Sequence, residues 1–144
     1  MAYSGRFIPK NPRKYIGDHT NIIYRSSWEA RVMTKLDESP WCVAWASEEL
    51  IIPYISPVDG KYHRYFPDFL VKYNDKTGRQ KTMLIEVKPD NQTKPPPVPK
   101  RKTKRFIQEV MTYGVNTAKW KAAEEYCLDR GWEFRVLTEQ HLGL

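Results

Sequence analysis

Residues 64 to 73 and 80 to 88 are two strand-like runs separated by a turn-forming stretch, and this pairing constrains the fold more than any other part of the chain. Their aromatic and β-branched residues, with residues 74 to 79 rich in turn formers between them, predict an antiparallel hairpin. Successive side chains of a strand point to opposite faces, so Glu86 and Lys88 share one face while Ile85 and Val87 enter the other. Pro67 lacks a ladder donor and predicts a bulge or bend just before Asp68, aiming that carboxylate toward Glu86. Two acids and one lysine then converge. Such carboxylates hold a hard divalent cation and orient a water beside it. A lone Glu-x-Lys triplet is common on solvent-facing strands; it gains weight only with Pro67-Asp68 at hairpin distance.

Residues 24 to 36 read as a helix capped by Ser26 or Ser27, with Trp28, Val32, Met33 and Leu36 as its apolar stripe. Glu29 precedes Val32, Met33 and Leu36 by three, four and seven residues, so it falls on or beside the buried face. A glutamate in a first turn can simply complement the helix N-terminus. A desolvated carboxylate, however, calls for a hydrogen bond, a counter-ion or a metal, and Asp68, Glu86 and Lys88 give Glu29 that context.

Taken in order, Glu29, Pro67-Asp68 and Glu86-Val87-Lys88 resemble the signature of the PD-(D/E)XK nuclease superfamily. The Ser26-Ser27-Trp28-Glu29 opening is similar to the N-terminal catalytic domain of TnsA-type transposon endonucleases, and the chain also resembles the small head-completion nucleases of T-even-like bacteriophages. The resemblance spans about residues 24 to 138. It implies a restriction-endonuclease-like α/β core of helix, three strands, helix and strand. It also implies magnesium, with manganese able to substitute, held by Asp68, Glu86 and the Val87 carbonyl, with Glu29 completing the shell directly or through water. Glu29, Asp68, Glu86 and Lys88 are then the catalytic set for hydrolysing DNA phosphodiesters, Lys88 stabilising the attacking hydroxide or the charge that develops on phosphate. DNA and metal are expected to bind cooperatively. The phage resemblance implies processing of DNA ends as packaged heads are finished, with head or neck proteins as partners, in the infected host cytoplasm or the virion head.

Charge supports a nucleic-acid partner. Lys and Arg number 24 against 17 Asp and Glu, a net +7, and the excess is concentrated. Arg6, Lys10, Arg13 and Lys14 crowd the first residues, and Lys94, Lys100, Arg101, Lys102, Lys104 and Arg105 crowd one acid-free stretch just after the Glu86 strand. Cations on phosphates release counterions and give salt-dependent, sequence-independent affinity. Lys100, Arg101, Lys102, Lys104 and Arg105 are the expected DNA contacts, although lysine runs are more often solvated loops. Pro95-Pro96-Pro97 and Pro99 make residues 89 to 103 a stiff extended crossing, suited to a flap over substrate.

The rest of the 144 residues read as an α/β sandwich. Residues 1 to 23 are a basic arm that packs late, and residues 24 to 144 one nuclease-like domain whose core is filled by five Trp, nine Tyr and five Phe. Residues 41 to 54 suggest one bent strand. Helix is expected from 104 to 113, a break at Gly114, and helix again from an Asn116 N-cap to a Gly131 C-cap, followed by a final strand at 132 to 137. The resemblance implies that the helix before the last strand borders the DNA cleft, so Asn116 and Lys119, near that second start, are further expected phosphate contacts. His63 is left outside the catalytic set, since a lone histidine at a strand start is more often structural. Cys42 and Cys127 read as buried reduced thiols, and neither an apolar run long enough for a membrane helix nor a nucleotide-cofactor motif is present. Two other readings stay open: a non-catalytic DNA-end or neck-binding protein on the same fold, and a transposase or restriction subunit with a partner chain.

Overall fold

The computed structural model describes residues 4–142. The chain forms β1 (Gly5–Phe7), a 3-10 turn (Pro12–Lys14), β2 (Ile22–Tyr24), α1 (Ser27–Glu38), β3 (Cys42–Ser47), β4 (Ile52–Ile55) and β5 (Tyr62–Tyr65). It continues through β6 (Phe69–Asn74), β7 (Gln80–Val87), a second 3-10 turn (Asp90–Gln92), α2 (Lys104–Arg130) and β8 (Glu133–Leu137). The central sheet has the order β3-β6-β7-β8, antiparallel except for the parallel pair β7-β8, so it is mixed as expected. Reading α1, β3, β6, β7, α2, β8 along the chain reproduces the helix, three strands, helix, strand order of a restriction-endonuclease-like core.

The predicted hairpin follows from its turn. Gly78 takes φ +82°, which a glycine adopts without steric cost, while the Asp75 carboxylate accepts from the Thr77 and Arg79 amides at 2.9 and 3.0 Å. Those bonds and the Thr77 hydroxyl hold the Asp75 carboxyl down at about 2. β7 lies between two strands and is covered on both faces, so Leu84, Ile85 and Glu86 are all buried. Ile85 joins Val32, Met33, Leu36, Trp45 and Phe69 under α1, and Leu84 joins Trp120, Ala123 and Cys127 under α2. Cys42 and Cys127 are free, buried thiols on opposite sides of the sheet, as expected.

Three expectations need correction. Residues 41 to 54 are not one bent strand. Glu48, with φ +53°, is the sole non-glycine in the left-handed region among the described residues; it turns the chain out of the central sheet, and β4 pairs with β5 in a separate ribbon. Residues 64 to 73 likewise divide at Phe66-Pro67-Asp68, because the donorless Pro67 ends one ladder and releases Asp68 to begin another. Finally, α2 is one continuous helix of 27 residues, capped by the Thr103 hydroxyl on the Phe106 amide at 3.1 Å. Gly114 does not break it, Asn116 is an interior residue rather than an N-cap, and Gly131 at φ +70° ends it as predicted. The buried stripe Asn116, Trp120, Ala123 and Cys127 pins the helix to the sheet, and that packing outweighs one glycine's cost of about 1 kcal/mol.

A Cβ at Gly114 meets only Pro57 Cγ at 3.7 Å. Gly114→Ala is therefore expected to stabilise the protein by about 0.5–1 kcal/mol, raising Tm by about 2–4 °C in a thermal melt. An unchanged or lower Tm would show a strained helix at that point.

The segment before α1 is built into the core. Tyr15 is buried against Trp45 at a ring separation of 4.8 Å, its hydroxyl accepts from the Ser47 amide at 3.2 Å, and burial pushes its pKa up to about 12. Asp37, only 1% exposed, accepts from the Lys10 amide at 2.8 Å and the Asn11 amide at 3.0 Å. Two of the basic residues here serve the helix end: Lys10 pairs with Glu38 at 3.3 Å and Lys14 donates to the Ser39 carbonyl at 2.8 Å.

Candidate active site

Asp68 occupies the seam between the β4-β5 ribbon and the central sheet. Its Oδ2 accepts from the Val87 N–H at 2.7 Å, and its carbonyl accepts from the Glu48 N–H at 3.1 Å, so both its side chain and its backbone are fixed. One step beyond the Phe69–Ile85 pairing, Asp68 stands opposite Glu86 on the same side of the sheet. Glu86 is 6% exposed, and Asp68 keeps more contact with solvent. The Tyr65 hydroxyl donates to Glu86 Oε1 at 2.8 Å, and Lys88 Nζ lies 3.8 Å from Oε2. The predicted sharing of one strand face by Glu86 and Lys88 is what brings this pair together.

The electrostatics are those of crowded negative charge. Burial, followed by the repulsion of Glu86, raises the Asp68 pKa well above the carboxylate range; the Val87 amide and Lys88 oppose this. Burial also raises Glu86, against the Tyr65 hydroxyl, Lys88 and Lys119. Tyr65 itself is raised by burial and by the charge of Glu86. Glu29 is raised by burial, although its carboxylate accepts from the Ser26 hydroxyl at 3.2 Å. Glu29 is half-buried in the first turn of α1 and adds to the repulsion on Asp68, less strongly than Glu86 does. Among the described residues, no three histidine, cysteine or acidic side chains are drawn together into a ready-made metal cage. The close pair is Asp68 with Glu86.

Two features of the site carry no local signal in the sequence. Arg25 makes a two-point contact with Glu48, Nε and Nη2 reaching its carboxylate at 3.2 and 3.0 Å, and its positive charge is felt by Glu29. Tyr65 was visible only as an aromatic residue near Asp68; its bond to Glu86 depends on the break at Pro67, which turns β5 away from β6. The expected DNA contacts fall into two groups. Lys100, Arg101 and Lys102 lie on the exposed loop and Lys104 and Arg105 in the first turn of α2, with Arg105 paired to Glu109 at 3.1 Å. Lys119 is half-buried with Nζ 5.7 Å from the Tyr65 ring and 5.9 Å from the Tyr54 ring, on the Glu86 side of the sheet. Asn116, one turn earlier, is buried. His63 pairs with Asp59 at 2.7 Å in the β4-β5 ribbon, outside this constellation.

The model of the TnsA-like endonuclease N-terminal domain matches residues 39–139, which include Asp68, Glu86 and Lys88. The chain belongs to this endonuclease family. The head completion nuclease of Enterobacteria phage T4 is 46% identical over 146 residues, covering 99% of this chain and 95% of that protein. Glu29 precedes the segment matched to the TnsA-like endonucleases but lies within the longer similarity to the phage nuclease. Among the described residues of this TnsA-like endonuclease, no helix is long and apolar enough to cross a membrane.

Proposed function

We propose that this chain hydrolyses DNA phosphodiester bonds with a divalent cation, preferentially magnesium, at Asp68 and Glu86, and that it processes DNA ends during completion of the phage head. The observation that carries this reading is the pair of crowded carboxylates beside Lys88 in a chain of an endonuclease family. The donor set fits a hard cation: two carboxylates repel each other with one lysine too distant for a tight ion pair, and an added positive charge relieves both. Asp68 and Glu86 would hold the ion, with the Val87 carbonyl as a further oxygen and Glu29 acting through water. Two protein carboxylates leave room for water and substrate oxygens, the arrangement magnesium favours. When bound, the cation supplies charge neutralisation at phosphate and an activated water.

The chain's own groups do the rest. The Val87 amide and the Tyr65 hydroxyl each occupy one carboxylate oxygen and so fix the orientation of Asp68 and Glu86. Lys88 is placed to steady the attacking water or the charge on phosphate as the phosphorus–oxygen bond breaks. Lys119 and the cations from Lys100 to Arg105 serve as contacts to the DNA backbone, which makes binding fall steeply with salt. The T4 relative's name supports the placement in head completion, where head or neck proteins are the expected partners, in the infected cell or the virion head.

Purified protein is expected to cut linear or branched DNA with magnesium or manganese and to stop in EDTA, read on a denaturing gel. Salt-sensitive DNA binding with no cutting under any divalent cation would favour the non-catalytic end-binding reading instead.

A further inference from the structure

Between the basic loop and the first half of α2 lies a cleft of about 560 Å³. One wall is a single face of α2, contributing Gln108, Thr112, Tyr113 and Asn116. The other wall comes from the segment after Lys88 and carries Gln92, Pro96 and Pro97. Its interior is neutral and rich in hydrogen-bonding groups. The two cations at its margin are already matched, Lys94 by Asp90 at 3.2 Å and Arg105 by Glu109 at 3.1 Å. A phosphate would therefore gain little inside it.

The deepest group is the most informative. Asn116 is 6% exposed and lines the cleft, and among the described residues its side-chain amide has no hydrogen-bond partner. That amide is left to pair with solvent in the cleft, and a ligand with matching groups takes over those bonds. An asparagine amide offers one donor edge and one acceptor, the pattern that matches the edge of a nucleobase. Tyr113, which also lines the cleft, is the aromatic ring available to stack on such a base. A volume of this order accommodates a nucleotide-sized ligand.

The position fits as well. Asn91 and Gln92 follow Lys88 within one short turn, and Asn116 precedes Lys119 by one helical turn. We infer that this cleft receives an unpaired nucleobase of the substrate strand beside the phosphate to be cut, so that the preferred substrate carries unpaired nucleotides, as at tails, flaps or branches, rather than uninterrupted duplex. A base held in a helix cannot enter such a cleft without leaving the stack, and DNA with unpaired nucleotides is spared that cost. This rests on the proposal that Asp68, Glu86 and Lys88 form the hydrolytic centre.

The test uses the full chain and three fluorescent duplexes: blunt, with a single-stranded tail, and with the same tail made of abasic sugars. Affinities are read by anisotropy in EDTA at fixed salt. The base-bearing tail is expected to bind about tenfold more tightly than the blunt or abasic forms. Asn116→Ala, and Gln108→Ala at an exposed position that cannot unfold the core, are expected to erase most of that ratio. Equal affinity for base-bearing and abasic tails, no binding to either, or a ratio untouched in both variants overturns the inference. A parallel cleavage assay with magnesium keeps the two readings apart. Cutting without a preference for unpaired bases removes the cleft's role alone, and a base-dependent preference without cutting supports the cleft while removing the hydrolytic reading.

Discussion

Asp68→Asn is expected to lower the rate of DNA cleavage by on the order of 10³-fold while leaving the fold intact and raising Tm. The amide keeps an oxygen for the Val87 N–H, so the local geometry is retained. The negative charge is lost, and with it the grip on a cation and the repulsion from Glu86 and Glu29. Because folding pushes the Asp68 pKa upward, its charge works against the folded state at neutral pH. Removing that charge is worth about 1 kcal/mol of stability. Lys88→Ala is expected to cost about 10²–10³-fold in rate with little change in DNA affinity. Initial rates with magnesium and calorimetric melts decide both. An Asp68→Asn protein that cuts within tenfold of the parent or melts several degrees lower would remove Asp68 from the role given to it, and a Lys88→Ala protein that cuts at the parental rate would do the same for Lys88.

A second large effect is expected far from β7. Asp37→Ala leaves the Lys10 and Asn11 amides without their acceptor in a partly buried place. Charge-assisted bonds of this kind contribute about 1.5–3 kcal/mol each, and the stranded donors add a desolvation penalty. Allowing for non-additivity, a loss of about 3 kcal/mol follows, a fall in Tm on the order of 10 °C. Asp37→Asn, which keeps an acceptor oxygen, is expected to lose about half as much. Urea titration checks the pair. If Asp37→Ala unfolds at the parental midpoint, the residues before α1 are not held through this carboxylate.

How far the sequence disclosed these features depends on the range over which each is specified. The side-sharing of Glu86 and Lys88 and the core face of Ile85 follow from strand alternation alone, and they stand in the structure as read. The Ser26 cap and the Asp75 to Gly78 turn are equally local. Continuity across Gly114 was lost because helix propensity speaks louder in a sequence than the tertiary packing of Trp120 and Ala123 that overrides it. Asp37 looks like an ordinary last-turn acid until the Lys10 and Asn11 amides, 27 and 26 residues away, are seen to enclose it. The division of β3 from β4 rests on one left-handed residue, Glu48, which no glycine announces. Arg25 and Glu48 are 23 residues apart and meet only because that turn brings them together.

The parallel pairing of β7 with β8 ties the segment that carries Glu86 and Lys88 to the far end of the chain. The Lys88 amide donates to the Leu137 carbonyl at 2.9 Å, and β7 from Met83 to Val87 is closed on its outer edge by residues that follow both the basic loop and α2. That contact bridges a long separation, so its loop-closure entropy is larger than that of the β6-β7 hairpin, and it is expected to form after it. A chain that has built its hairpin but not yet docked β8 holds Asp68 and Glu86 close together without a fixed Lys88. On the proposed roles of Asp68, Glu86 and Lys88, a chain in which β8 is not docked is expected to cut poorly even with its hairpin formed.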